Sequence, residues 1–125
     1  MILVIETTER YKIKLGLFGQ TLEIFEFETQ DQASDLLIKI DQILAEHQVK
    51  LKDLKAIFAS SGPGSFTGVR IGMTTANSLA WSLDIPVTGF VSGKLNQALK
   101  NVDPQIKKFS GPVLPIYSSS PTDIA

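Results

Sequence analysis

The 125-residue chain has no cysteine and only one histidine. Disulfides and thiolate metal sites are therefore excluded. The lone imidazole, His47, falls late in a helical stretch and reads as a boundary or surface residue. Ser60, Ser61 and Ser65 have no further histidine to activate them, which argues against a Ser-His-Asp relay. Neither sign of charge is in excess: 12 Lys and Arg stand against 13 Asp and Glu, for a net charge of −1. The densest basic run is Lys50, Lys52 and Lys55, far short of the stripe a direct nucleic-acid binder presents. No apolar run approaches the ~20 residues of a membrane span. The N-terminal apolar run lacks the basic flank of a signal peptide. Carboxylates are also badly placed for metal-dependent hydrolysis. A nuclease of ribonuclease-H type needs several at strand ends, and only Glu6 qualifies, since Asp53, Asp84 and Asp103 fall elsewhere. No catalytic residue and no metal site is assigned, and a cytoplasmic location is expected.

Hydrophobic residues make up 43% of the chain and charged residues 20%, a globular balance sufficient for one core. Ile2-Leu3-Val4-Ile5 is a continuous apolar run and predicts a strand buried on both faces. Alternation from Lys12 to Phe18 predicts a second strand, Gly19-Gln20-Thr21 a hairpin turn, and Leu22 to Phe27 a returning strand. Ala33, Leu36, Leu37, Ile40, Ile43, Leu44 and His47 recur at spacings of three and four, predicting a helix with Asp31 as its N-cap. Ile38 lies off this stripe, so the apolar face is wider than one sheet contact requires. Leu54 to Ala59 predicts a parallel strand, and a helix-compatible segment runs on to Leu83. Ile85 to Phe90 predicts a further strand. Ser92 is the expected cap of a helix carrying Leu95, Ala98, Leu99 and Val102, ended by Asp103-Pro104. Val113 to Tyr117 is expected to be a last strand or extended segment. The order βββαβαβα, with the short C-terminal strand or tail, predicts a mixed sheet covered by helices, the arrangement of a single ribonuclease-H-like or actin-like lobe. That lobe is expected over residues 1–117, with 118–125 a flexible tail.

The stretch Ser61-Gly62-Pro63-Gly64-Ser65-Phe66-Thr67-Gly68 joins the predicted parallel strand to its helix. Such a turn collects backbone N–H groups near a helix N-terminus, which suits an anion. Glu6, Thr7 and Thr8 end the first strand and would share the same sheet rim, where open α/β sheets bind ligands. Glu6, Thr7, Thr8, Gly62, Pro63, Gly64, Ser65 and Gly68 are thus candidate phosphate or nucleotide contacts. The alternative is that Gly62 and Gly64 serve turn geometry alone. No lysine follows the glycines as a Walker loop demands. Gly68, Gly72, Ala76 and Ala80 form a ridge of small residues, open to close packing by the chain's own sheet or by another helix.

Gly62-Pro63-Gly64-Ser65-Phe66-Thr67-Gly68-Val69-Arg70-Ile71-Gly72 closely resembles the signature of the bacterial TsaB (YeaZ) family. Ile5-Glu6-Thr7-Thr8 resembles the family's Ile-Asp-Thr-Ser, and Leu51-Lys52-Asp53-Leu54 its Leu-x-Asp-Leu helix exit. The likeness covers about residues 1 to 100. It implies an actin-like ATPase fold and a non-catalytic partner of TsaD, the transferase that places threonylcarbamoyl on adenosine 37 of transfer RNA, with TsaE as a third component. It also implies a helical-bundle interface with the partner or with a second copy. The residues expected there are Leu36, Leu37, Ile40, Ile43 and Leu44 of the first helix, and Val69, Arg70, Gly72, Met73, Thr74, Ala76, Asn77 and Trp81 of the second. Two helices on each side can meet the ~1,200–2,000 Å² of a stable interface. A homodimer is expected in isolation, with transfer RNA engaged only indirectly. No cofactor is required; ATP or ADP with magnesium belongs only at a site shared with a partner. Glu6 replaces the family's aspartate. The chain resembles a short form lacking the second lobe, and Gly111 to Tyr117 resembles the family's C-terminal Pro-x-Tyr segment, which suggests an internal deletion. A small nucleotide-binding ATPase-like protein and a stand-alone regulatory homodimer are the alternatives.

Overall fold

The structure is a computed structural model that describes residues 1–115. Strands β1 (Ile2–Glu6), β2 (Lys12–Phe18) and β3 (Leu22–Glu28) form the antiparallel half of one sheet. Strands β4 (Ala56–Gly62) and β5 (Val87–Val91) add to β1 in parallel, giving the order β3-β2-β1-β4-β5. This is the single mixed-sheet lobe the element order predicts.

Helices α1 (Gln32–Glu46) and α2 (Phe66–Leu83) cover one face of the sheet. Alternation decides what lies beneath them. Leu3 and Ile5 of β1, Ile13, Leu15 and Leu17 of β2, and Ile57 and Ala59 of β4 point to this face and are buried with Leu36, Ile40, Ile43, Val69 and Met73. The opposite residues of the same strands, Val4, Ala56 and Phe58, form a smaller core with Phe90 under α3 (Leu95–Lys100). Asp31 caps α1 as predicted, its carboxylate accepting from the Ser34 N–H and hydroxyl.

Several boundaries differ from the sequence expectation. Strand β4 starts at Ala56 because the N–H of Leu54 closes a turn onto Leu51. Ser92 does not cap α3; its hydroxyl lies 2.9 Å from that of Ser60 and bonds the Pro63 carbonyl, while Lys94 takes the cap position. Val102 lies beyond the end of α3. Residues 113–115 form no strand. Val113 is instead held by the Asn77 side chain, which donates to its carbonyl and accepts from its N–H, both at 2.9 Å. The remainder of the expected last strand or extended segment, Ile116 and Tyr117, and the expected tail at 118–125 lie outside the described residues.

Candidate functional site

Strands β1 and β4 are parallel and adjacent, so Glu6-Thr7-Thr8 and the Ser61–Ser65 turn emerge at one rim. This is the shared sheet rim expected from the strand order. What they do there differs from a waiting phosphate cradle. Thr7 is only 2% exposed, and its hydroxyl donates 2.6 Å to the Gly68 carbonyl in the first turn of α2. The Thr8 hydroxyl donates to the Glu6 carboxylate at 3.0 Å. The Ser65 N–H reaches the Thr8 carbonyl at 2.8 Å, and the Ser65 hydroxyl caps α2 by accepting from the Gly68 N–H. The Gly62 N–H bonds the Ser60 hydroxyl, and the Gly62 and Pro63 carbonyls accept from Ser92. The hydroxyls of Thr7, Thr8 and Ser65 and three of the turn's N–H groups therefore have partners inside the chain.

The glycines follow the same logic. Gly62 has a positive φ of 102°, as turn geometry demands. Gly64 does not need one; a Cβ there would lie 2.6 Å from Thr8 Cβ. A Cβ on Gly68 would overlap the Thr7 carbonyl oxygen, and one on Gly72 the Thr7 hydroxyl. The ridge of small residues thus serves close approach of α2 to the chain's own β1 exit, not to a foreign helix. The two motifs that stand out in the sequence form one latch.

Gln32 is the site residue that sequence reading missed. It is buried, and its side-chain amide lies within 3.2 Å of the Thr7 carbonyl and 2.8 Å of those of Glu9 and Lys12. It fixes the β1–β2 turn from the start of α1. Its only sequence mark is a polar residue just inside a capped helix. Glu6 lies opposite Lys14 in the β1–β2 register, and Lys14 pairs with Glu26 at 3.4 Å. Among the described residues no group of three or more His, Asp or Glu is arranged to hold a metal. His47 bonds the Ile43 carbonyl and stands 3.6 Å from Glu23, far from the rim in the fold.

The helical surface also divides. Leu36, Ile40, Ile43 and Leu44 of α1, and Val69, Gly72, Met73 and Ala76 of α2, are buried in the chain's own core. They leave the expected docking set because each points to the sheet. Asn77 is engaged by Val113. The outer sides remain apolar: Leu37 is 55% exposed, Ile38 61% and Trp81 71%. Ala33, Thr67, Arg70, Ile71 and Thr74 line a groove of about 420 Å³ between the two helices. Leu37, Arg70, Thr74 and Trp81 are thus the expected contacts that stay accessible. Among the described residues no helix is long and apolar enough to cross a membrane.

The sheet order, the helices on one face and the closed rim define an α/β lobe of actin-like type. The sequence model of the family described as "TsaD: tRNA N6-adenosine threonylcarbamoyltransferase" matches residues 28–122. The tRNA threonylcarbamoyladenosine biosynthesis protein TsaB of Bacillus subtilis (strain 168) is 32% identical over 121 residues, 94% of this chain and 50% of that protein. TsaB of Escherichia coli (strain K12) is 36% identical over 89 residues, 70% of this chain and 38% of that protein. The solved structure described as YeaZ from Pseudomonas aeruginosa superposes with a TM-score of 0.67 at 28% identity, covering 72% of this chain and 43% of that one. The chain belongs to the TsaB (YeaZ) family. It spans half or less of the length of these relatives.

Proposed function

We propose that this chain is a non-catalytic partner of a TsaD-like enzyme in threonylcarbamoyladenosine formation at position 37 of transfer RNA. It docks through the outer sides of α1 and α2. The observation that carries this reading is the exposure of Leu37, Ile38 and Trp81 on the same two helices that form the groove lined by Ala33, Arg70 and Thr74. Leu37 lies one helical turn beyond Ala33, and Trp81 two turns beyond Thr74, so they extend the same surface. Apolar patches of this kind mark interaction sites. Its action is to bury that surface and hold the enzyme's working conformation. A TsaE-like protein is the third member of the assembly, transfer RNA is reached only through the enzyme, and the cytoplasm is the place of action. Without its partner the same face pairs with a second copy about a two-fold axis. The chain needs no nucleotide of its own; with Thr7, Thr8 and Ser65 engaged internally, ATP or ADP with magnesium belongs at a site completed by the partner.

The test is co-elution with the TsaD-like enzyme of the same host. The double substitution Leu37→Glu and Trp81→Glu removes co-elution while the isolated chain keeps its unfolding midpoint. Undiminished co-elution of that folded variant overturns the proposed face.

A further inference from the structure

The opposite side of the sheet holds a cavity of about 710 Å³. It lies between the sheet and the segment following α3. Its floor includes Ile2 and Phe58, and its walls include Ile85, Ala98, Val102 and Ile106. Binding sites for small ligands have this size and this apolar character, with a few polar groups that fix orientation. Val102 and Ile106 are 39% and 49% exposed although they line it. Their apolar surface is therefore available to an occupant.

The charged groups around the cavity are unequal in freedom. Lys55 and Lys107 line it, are exposed, and form no ion pair among the described residues. Asp103 also lines it, but its carboxylate accepts from the Gln105 N–H at 2.9 Å and its carbonyl from the Ile106 N–H, so it is tied into the turn that shapes the wall. The net offer is an apolar chamber with two exposed ammonium groups against one carboxylate that keeps its charge, so the lining is net positive. A neutral hydrocarbon would gain nothing from that positive charge, and a compact polar anion would leave the apolar wall uncovered.

We propose that this cavity binds a free single-chain carboxylate amphiphile, its hydrocarbon chain against Ala98, Val102 and Ile106 and its carboxylate held by Lys55 and Lys107. The site is independent of α1 and α2, on the other face of the sheet, so its test does not depend on the docking reading.

The experiment is calorimetric titration of the whole chain with octanoate, decanoate and 1-decanol, each below its micelle or solubility limit. Decanoate binds saturably, one molecule per chain. Each added methylene tightens binding by about fourfold, the value of ~0.8 kcal/mol of transfer free energy. The exposed pair Lys55→Glu and Lys107→Glu weakens decanoate by about tenfold and leaves the unfolding midpoint in place. Val102→Asp, in an exposed segment outside the helix, weakens it as well. Absence of saturable decanoate binding at about 1 mM, equal affinity for 1-decanol, or unchanged binding in the folded lysine variant each overturns the proposal.

Discussion

The Thr7 hydroxyl donates a 2.6 Å hydrogen bond to the carbonyl of Gly68, sixty-one residues further along the chain. This bond joins the end of β1 to the first turn of α2. It explains why the two most conspicuous motifs accompany each other: the glycines at 68 and 72 admit Thr7, and Thr7 anchors the helix.

Substitutions at the latch therefore have an order. Gly68→Ala places its Cβ on the Thr7 backbone oxygen, which cannot yield without moving β1. Gly72→Ala meets the Thr7 hydroxyl, a side-chain atom that can rotate at the loss of its hydrogen bond. Alanine gains about 1 kcal/mol of helix propensity at either position, against overpacking of about 1–3 kcal/mol. Urea unfolding is expected to show Gly68→Ala clearly destabilised and Gly72→Ala less so. Thr7→Val, which puts a methyl in place of the hydroxyl and loses its bond to Gly68, costs about 1 kcal/mol. Equal stability of all three with the parent chain would contradict the latch.

The Asn77 side chain imitates a strand partner for Val113, bonding both its backbone groups. Asn77→Leu keeps the volume and removes both bonds. The expected loss is about 2 kcal/mol, from about 1 kcal/mol per bond, together with faster amide exchange at Val113. Unchanged exchange at Val113 would show that Phe109 and Val113 hold the segment by packing alone.

Much of this architecture is legible before any coordinates. The alternation in Lys12–Phe18 and the stripe on α1 each follow from one period, and Asp31 follows from cap chemistry. The orientation of α2 is not legible in the same way. Val69 and Met73 face the core and Trp81 faces outward, yet the helix is apolar on several sides and periodicity does not choose among them. Leu36 and Leu37 are neighbours on one predicted stripe, but only the sheet's position determines that the first is buried and the second exposed. Gln32 and Ser92 act through partners twenty or more residues away, Lys12 and Ser60, so no local pattern marks them. The shared rim follows from topology; its internal hydrogen bonding belongs to packing, which the sequence pattern does not contain.

Asp31 supplies a pH test. Hydrogen bonds from the Ser34 side chain and backbone hold its carboxyl below the ordinary 3.8. A lowered folded-state pKa contributes stability that is fully present above the unfolded value and disappears as pH falls through the folded value. The stability difference between the parent chain and Asp31→Ala is therefore constant from neutral pH down to about 5, and shrinks below 3.8. A difference that persists undiminished in acid would show that the carboxylate's charge is irrelevant to the cap.

The inner and outer faces of α1 and α2 separate folding from docking. Met73→Glu introduces a carboxylate at a position 2% exposed and is expected to unfold the chain. Leu37→Glu, at 55% exposure, is expected to change stability by no more than about 0.5 kcal/mol. Circular dichroism melts of the two variants distinguish these outcomes directly. Similar melts for both would mean that the two faces are not divided as described.

The most direct test of the docking account is amide hydrogen exchange of the chain alone and in complex with its TsaD-like enzyme. Slowed exchange across α1 and α2 on complex formation, with the Glu6–Thr8 and Gly62–Ser65 segments unchanged, is the predicted result. Protection confined to that rim, with both helices exchanging as before, would contradict it.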